Sequence, residues 1–271
     1  MAAPRRVTLA GNDPSASPME DTLRILVSVG FAGLLIMLRL DSERFGAAEY
    51  ADATREVRAP ALRRRLGWYL LGLMLIVGVD LINPSPGDSL FLRLGDRTQA
   101  ILFGFAFAAI GTLQAVGFAW LRYQRLRLPP TSSYPSALLN SIATAFIDEA
   151  TFRGIFLAYL LSTGMDGSAA NAIQAIVYAL TTRLGAKGRD PYMLVLVLVI
   201  GLMSGWLTIA TGGIGAAFLG HAITRFAVFV TTGHMGRPAP RGREVEEIER
   251  KRRLPDGWQA IGAGEPGPID G

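Results

Sequence analysis

Two adjacent carboxylates and an arginine, Asp148, Glu149 and Arg153, interrupt the otherwise largely apolar run FIDEATFRGIF at 146–156. Glu149 and Arg153 are four apart, so on a helix they share one face within hydrogen-bonding reach, while Asp148 points about 100° away around the axis. His221 and Arg225 repeat the four-residue spacing in a later apolar run. An ionised side chain near the centre of a bilayer costs at least about 2.5 kcal/mol on insertion scales, so each one retained there needs a reason. Two reasons fit these residues. A desolvated carboxylate, its proton affinity set by the competition between burial and a neighbouring arginine, can act near a histidine as general base on water. Alternatively, two carboxylates and two arginines, balancing to zero with His221 neutral, lock one helix to another without any chemistry. Spacing alone leaves both open.

The elements that must position these groups are membrane helices. Half of the 271 residues are apolar, 31 are glycine and none is cysteine, and the mean hydropathy is +0.32. Windows approaching the roughly 20 apolar residues that span a bilayer occur at 23–40, 67–83, 99–121, 137–163, 168–182, 191–210 and 213–232. The expectation is an all-α polytopic membrane protein with about seven transmembrane helices. The first window reads as a helix and not as a cleaved leader, because no small-residue cleavage site follows it and its second flank is the more basic. Without cysteine there is no disulfide framework and no thiolate metal site. The only histidines are His221 and His234. The net charge of +5 resides mostly where loops meet lipid, which points to anionic headgroups as partner and not to nucleic acid.

Four regions follow: a segment outside the cytoplasm at 1–22, helices one to three at 23–136 with a basic linker at 41–66, a helical core at 137–232, and a charged tail at 233–271. Of the 27 basic residues, twenty flank the ends of windows one, three and five or lie in the tail. Among them are Arg63, Arg64, Arg65, Arg122, Arg125, Arg127, Arg183, Lys187 and Arg189. The opposite side carries Arg5, Arg6, Arg24, Arg93 and Arg97. This asymmetry predicts a multi-pass cell-membrane protein with its N-terminus outside and its C-terminus in the cytoplasm. Gly104, Ala108 and Gly111, and later Gly201 and Gly205, have the spacing of close helix packing in lipid, and Asn140, Asn171, Gln174 and Gln114 read as interhelical hydrogen-bond donors and acceptors. Asp80, beside INPSPGD, reads as a cap or turn contact.

Three stretches together resemble the CPBP family, the CAAX-protease and bacteriocin-processing membrane endopeptidases also called Abi. DEATFRG resembles its first signature, two glutamates followed after three residues by arginine. QAIVYALTTRLG resembles the second, an aromatic and then histidine. GLMSGWLTIATGGIGAAFLGHAITR resembles the third, a glycine-rich helix, a turn, histidine and then asparagine. The resemblance covers about 137–232 and implies a helical membrane fold whose glutamate activates water, aided by histidines and the asparagine, to cleave a membrane-associated peptide. Some descriptions of the family assign a metal to that site.

Carried over residue by residue, Glu149, Arg153 and His221 match, and Tyr178 is an acceptable aromatic. Asp148 stands one methylene short of the first glutamate, and a displacement of about 1 Å in a positioned reaction can cost on the order of a hundredfold. Thr182 replaces the second histidine and Arg225 the asparagine. His234 lies thirteen residues beyond His221, about 20 Å along a helix, and does not complete the set. No cofactor is expected. Zinc, the alternative, would have one imidazole with carboxylates where its sites use three or four protein ligands, and Arg225 would repel it. Arg225 is expected to close a salt bridge on the carboxylates. The resemblance therefore implies either a glutamate-type endopeptidase acting on a membrane-anchored peptide or a catalytically degenerate relative that keeps the fold as a binding scaffold.

Overall fold

The computed structural model describes residues 18–43, 45, 51–52, 59–83, 85–123, 126, 128–129, 131, 134–183, 191–232 and 234–235. Arg5, Arg6, Arg125, Arg127, Lys187, Arg189 and the tail beyond 235 lie outside the described residues. Every apolar window is helical but for one or two residues at an end: α1 Pro18–Leu40, α2 Ala59–Ile82, α4 Arg97–Tyr123, α5 Tyr134–Glu149, α6 Leu157–Ser162, α7 Gly167–Arg183, α8 Pro191–Thr211 and α9 Gly215–Thr232, with a one-turn α3, Pro86–Ser89, between α2 and α4. The fourth window is continuous but not uniform, because α5 passes through a seven-residue π-helix, Ala150–Phe156, before α6 resumes. Stretches of α1, α2 and α4 of 19, 20 and 25 residues are long and apolar enough to cross a bilayer. Leu70, Met74, Leu81, Leu102, Leu113 and Trp120 on α2 and α4 are exposed, as side chains facing lipid are. This is an all-α membrane protein.

The basic linker at 41–66, read as partly helical, is helical from Ala59, so Arg63, Arg64 and Arg65 belong to the first turns of α2. The last helix stops before His234. α9 ends at Thr232 and His234 lies in a two-residue strand, β2 (His234–Met235), paired antiparallel with β1 (Ala51–Asp52).

Lipid supplies no hydrophobic drive between helices, so small residues and polar side chains must hold them together. On α4, a side chain at Gly104 would collide with Leu219 of α9, and one at Gly111 with Thr224. From the other side, a Cβ on Gly220 would lie 2.2 Å from Phe107. Gly201 and Gly205 of α8 similarly make room for Ala175, Asn171 and Gln174 of α7. Asn171 Nδ2 donates to Leu202 O at 3.0 Å and Gln174 Nε2 to Gly201 O at 2.9 Å. The Tyr69 hydroxyl of α2 donates to Asn140 of α5. Away from these seams, residues 90–96 dock on the α8–α9 turn. There Ile214 N donates to Phe91 O at 3.1 Å and Asp96 N to Thr211 O at 2.9 Å. Gly95, at φ +80°, brings its backbone against Thr211 O where a Cβ would sit 2.5 Å away.

The packing predicts a sharp difference between two glycines. Gly220→Ala should lower the thermal unfolding midpoint in detergent by an amount equivalent to about 1–3 kcal/mol of overpacking. Gly117→Ala, with nothing within 4 Å of the added methyl, should leave the midpoint unchanged.

Candidate active site

The carboxylates of Asp148 and Glu149 close α5 just before the π-helix, and both are fully buried, at 1% and 0% exposure. Being neighbours on one helix, they leave it in different directions, and the fold meets each with its own cation. Asp148 Oδ1 lies 2.9 Å from Nε of Arg39, the penultimate residue of α1. Arg39 is itself buried, and its Nη1 reaches Ser42 Oγ at 3.5 Å. Trp68 of α2 fixes the end of α1 by donating from Nε1 to Leu38 O at 2.9 Å. Arg39 belongs to no motif. In the sequence it is one more basic residue at the end of an apolar window, and its one distinguishing signal is that Leu38 and Leu40 flank it.

Glu149 turns to the other side. His221 Nδ1 of α9 lies 2.6 Å from its Oε1, and Ser204 of α8 donates to the same oxygen at 3.4 Å. Arg153 Nε is 3.4 Å from Oε2, the four-residue pair expected from spacing, formed here across the wider turn of the π-helix. With Glu149 ionised, Nδ1 of His221 carries the proton and donates, which leaves Nε2 to accept from the Tyr178 hydroxyl of α7 at 3.4 Å. Tyr178 also carries the Arg153 guanidinium 4.0 Å above its ring, a cation–π contact strengthened by burial. Phe152 packs edge-on against the same ring at 5.1 Å. Five helical segments, α1, α5 with its π-turn, α7, α8 and α9, thus contribute to one cluster. Ser204 escaped the sequence reading as a lone hydroxyl between Gly201 and Gly205.

Two of the substituted positions behave differently from Asp148. Thr182 is buried, and its hydroxyl donates to Ala179 O of its own helix at 3.0 Å. The expectation that Arg225 closes a salt bridge on the carboxylates is overturned: among the described residues Asp148 pairs with Arg39 and Glu149 with Arg153 and His221, and Arg225 pairs with neither. The physical reason is priority of position. Arg39 already occupies the open side of Asp148, and Arg225 lies one helical turn, about 6 Å, beyond His221. The balance of two carboxylates with two arginines is likewise corrected, because Arg39 adds a third guanidinium.

Several buried atoms of the cluster have no hydrogen-bond partner among the described residues: both Asp148 oxygens, Glu149 Oε2, Nε and both Nη atoms of Arg153, and Arg225 Nε. Ion-pair contacts compensate charge there without meeting hydrogen-bond geometry. Buried polar atoms of this kind are ordinarily satisfied by water or a ligand, so Glu149 Oε2 keeps acceptor capacity towards a proton donor. Among the described residues no three His, Asp or Glu side chains converge to hold a metal ion.

Removing one partner of a buried pair strands the other, at a cost of about 3–5 kcal/mol, whereas replacing both with apolar residues is often neutral. Arg39→Leu and Asp148→Leu should each lower the unfolding midpoint strongly, and the double variant should recover most of the loss. Additive losses would show that the two side chains do not interact.

No curated protein and no solved structure matches the chain. Residues 129–227 match the family described as type II CAAX prenyl endopeptidase, Rce1-like, and this span contains Asp148, Glu149, Arg153, Tyr178, Thr182, Ser204, His221 and Arg225 while leaving Arg39 outside it. Over that segment the chain is similar to the Rce1-like family of type II CAAX prenyl endopeptidases.

Proposed function

We propose that this protein is an intramembrane endopeptidase that hydrolyses a peptide bond of a prenylated, membrane-anchored peptide, with Glu149 as general base. The observation that carries this reading is the 2.6 Å contact between Glu149 Oε1 and His221 Nδ1, made between helices 72 residues apart in sequence. In this reading His221, Ser204 and Arg153 hold the carboxylate in one orientation. Glu149 Oε2 takes a proton from water, and the resulting hydroxide adds to the scissile carbonyl carbon. The C–N bond then breaks as Glu149 returns the proton to the leaving nitrogen. A positioned base of this kind contributes about 10²–10⁴-fold. Asp148, tied to Arg39, has a structural role.

The donor set argues against a resident zinc ion. Glu149 and His221 supply two ligands where zinc sites use three or four, Asp148 is engaged by Arg39, and the Arg153 guanidinium is paired with Glu149. No step of the reaction is routed through a metal. The arginine asymmetry of the sequence supports a cell-membrane location with the N-terminus outside and the tail in the cytoplasm.

A second reading is favoured by one specific observation: the Thr182 hydroxyl is directed to its own helix, so α7 offers Tyr178 to the site but no second imidazole. On that reading the cluster is a structural frame and the protein a non-catalytic membrane scaffold. Reconstituted protein and a prenylated peptide separate the two. The endopeptidase reading expects cleavage, reduced by about a hundredfold or more in Glu149→Gln and in His221→Ala, and within a few-fold of normal in Thr182→Ala. A folded, unmodified chain that leaves every such peptide intact would support the scaffold.

A further inference from the structure

The charges of the cluster do not balance. Arg39, Arg153 and Arg225 face two carboxylates, and the pairing identifies the cation in excess. Arg39 is taken by Asp148 and Arg153 by Glu149. Arg225 lies within electrostatic reach of Asp148, Arg39, Tyr178 and Tyr69, yet among the described residues it makes no ion pair or hydrogen bond. Its Nε is sealed from solvent without a partner, while the residue as a whole is only partly buried, so the outer end of the guanidinium faces accessible space. An uncompensated charge at this depth is costly, and a planar guanidinium is the group best shaped to hold a carboxylate through two parallel hydrogen bonds.

We propose that Arg225 is a binding subsite for the free C-terminal carboxylate of the peptide substrate. The proposal deepens the endopeptidase reading and rests on it for the identity of the ligand. A carboxylate on Arg225 would bring the cluster to neutrality. Arg225 is one turn from His221 along α9, about 6 Å, so a chain end held there stays beside the Glu149–His221 pair. Exposed Arg63 and Arg64 lie near the start of α2. A lipid headgroup offers the same charge, but exposed Arg63 and Arg64 can meet headgroups without drawing one into the cluster.

The test uses the full chain carrying Glu149→Gln, which blocks turnover, in phosphatidylcholine nanodiscs. The probes are a farnesylated Cys-Val-Val-Ala peptide with a free C-terminal carboxylate and the same peptide as its C-terminal amide. The acid should bind about tenfold to a hundredfold more tightly than the amide, as expected for a charge-assisted hydrogen-bond pair. Adding Arg225→Ala or Arg225→Asn should bring the acid down to the affinity of the amide, and Arg225→Lys should keep part of the preference; the unfolding midpoint of each variant confirms that it is folded. Equal binding of acid and amide, no binding of either, or a preference that survives Arg225→Ala overturns the proposal. So does loss of the preference when phosphatidylglycerol is added, which would assign Arg225 to lipid. An acid preference without turnover by the unmodified chain removes the endopeptidase reading and keeps the subsite, and turnover without an acid preference does the reverse.

Discussion

Two carboxylates side by side on one membrane helix cannot share a counterion. Adjacent side chains leave a helix about 100° apart, and out of water each needs its own compensation. Much of this structure follows from that constraint. Asp148 requires a cation from the side of α1 and finds Arg39. Glu149 requires one from the side of α8 and α9 and finds Arg153, His221 and Ser204. The N-terminal helix, which lies outside the segment matching the family, is therefore part of the site.

Meeting that constraint depends on backbones coming close. Gly111 and Gly220 let α4 and α9 approach until Phe107 and Thr224 fill the space a side chain would take, and Gly201 and Gly205 do the same for α8 against α7. These seams set where His221, Ser204 and Tyr178 stand relative to Glu149. The π-helix contributes from within α5. Its wider turn carries Arg153 to a position where it meets Glu149 and stacks on Tyr178 at once, in keeping with the recurrence of π-segments at functional sites. Gly154 in that segment allows Leu90 and Leu92 to close over it.

The helices, the glycine seams and the Glu149–Arg153 pair were legible in the sequence because each rests on local periodicity. What was not legible was long-range. Arg39 counts towards the charge asymmetry of loops as readily as any snorkelling arginine at a helix end, and only the packing of α1 against the π-helix and α7 turns it into the partner of Asp148. Arg225 was expected to seal the carboxylates because it is charged, four residues from His221 and in the third motif; that Arg39 has already met Asp148 is a fact of tertiary arrangement. The π-helix left no mark, since neither the apolar pattern of 137–163 nor its interruption at Asp148, Glu149 and Arg153 distinguishes a π-turn from an α-turn. Thr182 could be read as a departure from the family pattern, but not that its hydroxyl would turn to Ala179.

The account assigns the two neighbouring carboxylates different work, structure to Asp148 and chemistry to Glu149. The most direct test is hydrolysis of a prenylated peptide in H₂¹⁸O, read by mass spectrometry, comparing Glu149→Gln with the charge-compensated pair Arg39→Met and Asp148→Asn. The account predicts that the compensated pair still releases a product with one ¹⁸O in its new carboxyl group while Glu149→Gln releases none. Labelled product from Glu149→Gln, with none from the folded compensated pair, would contradict it.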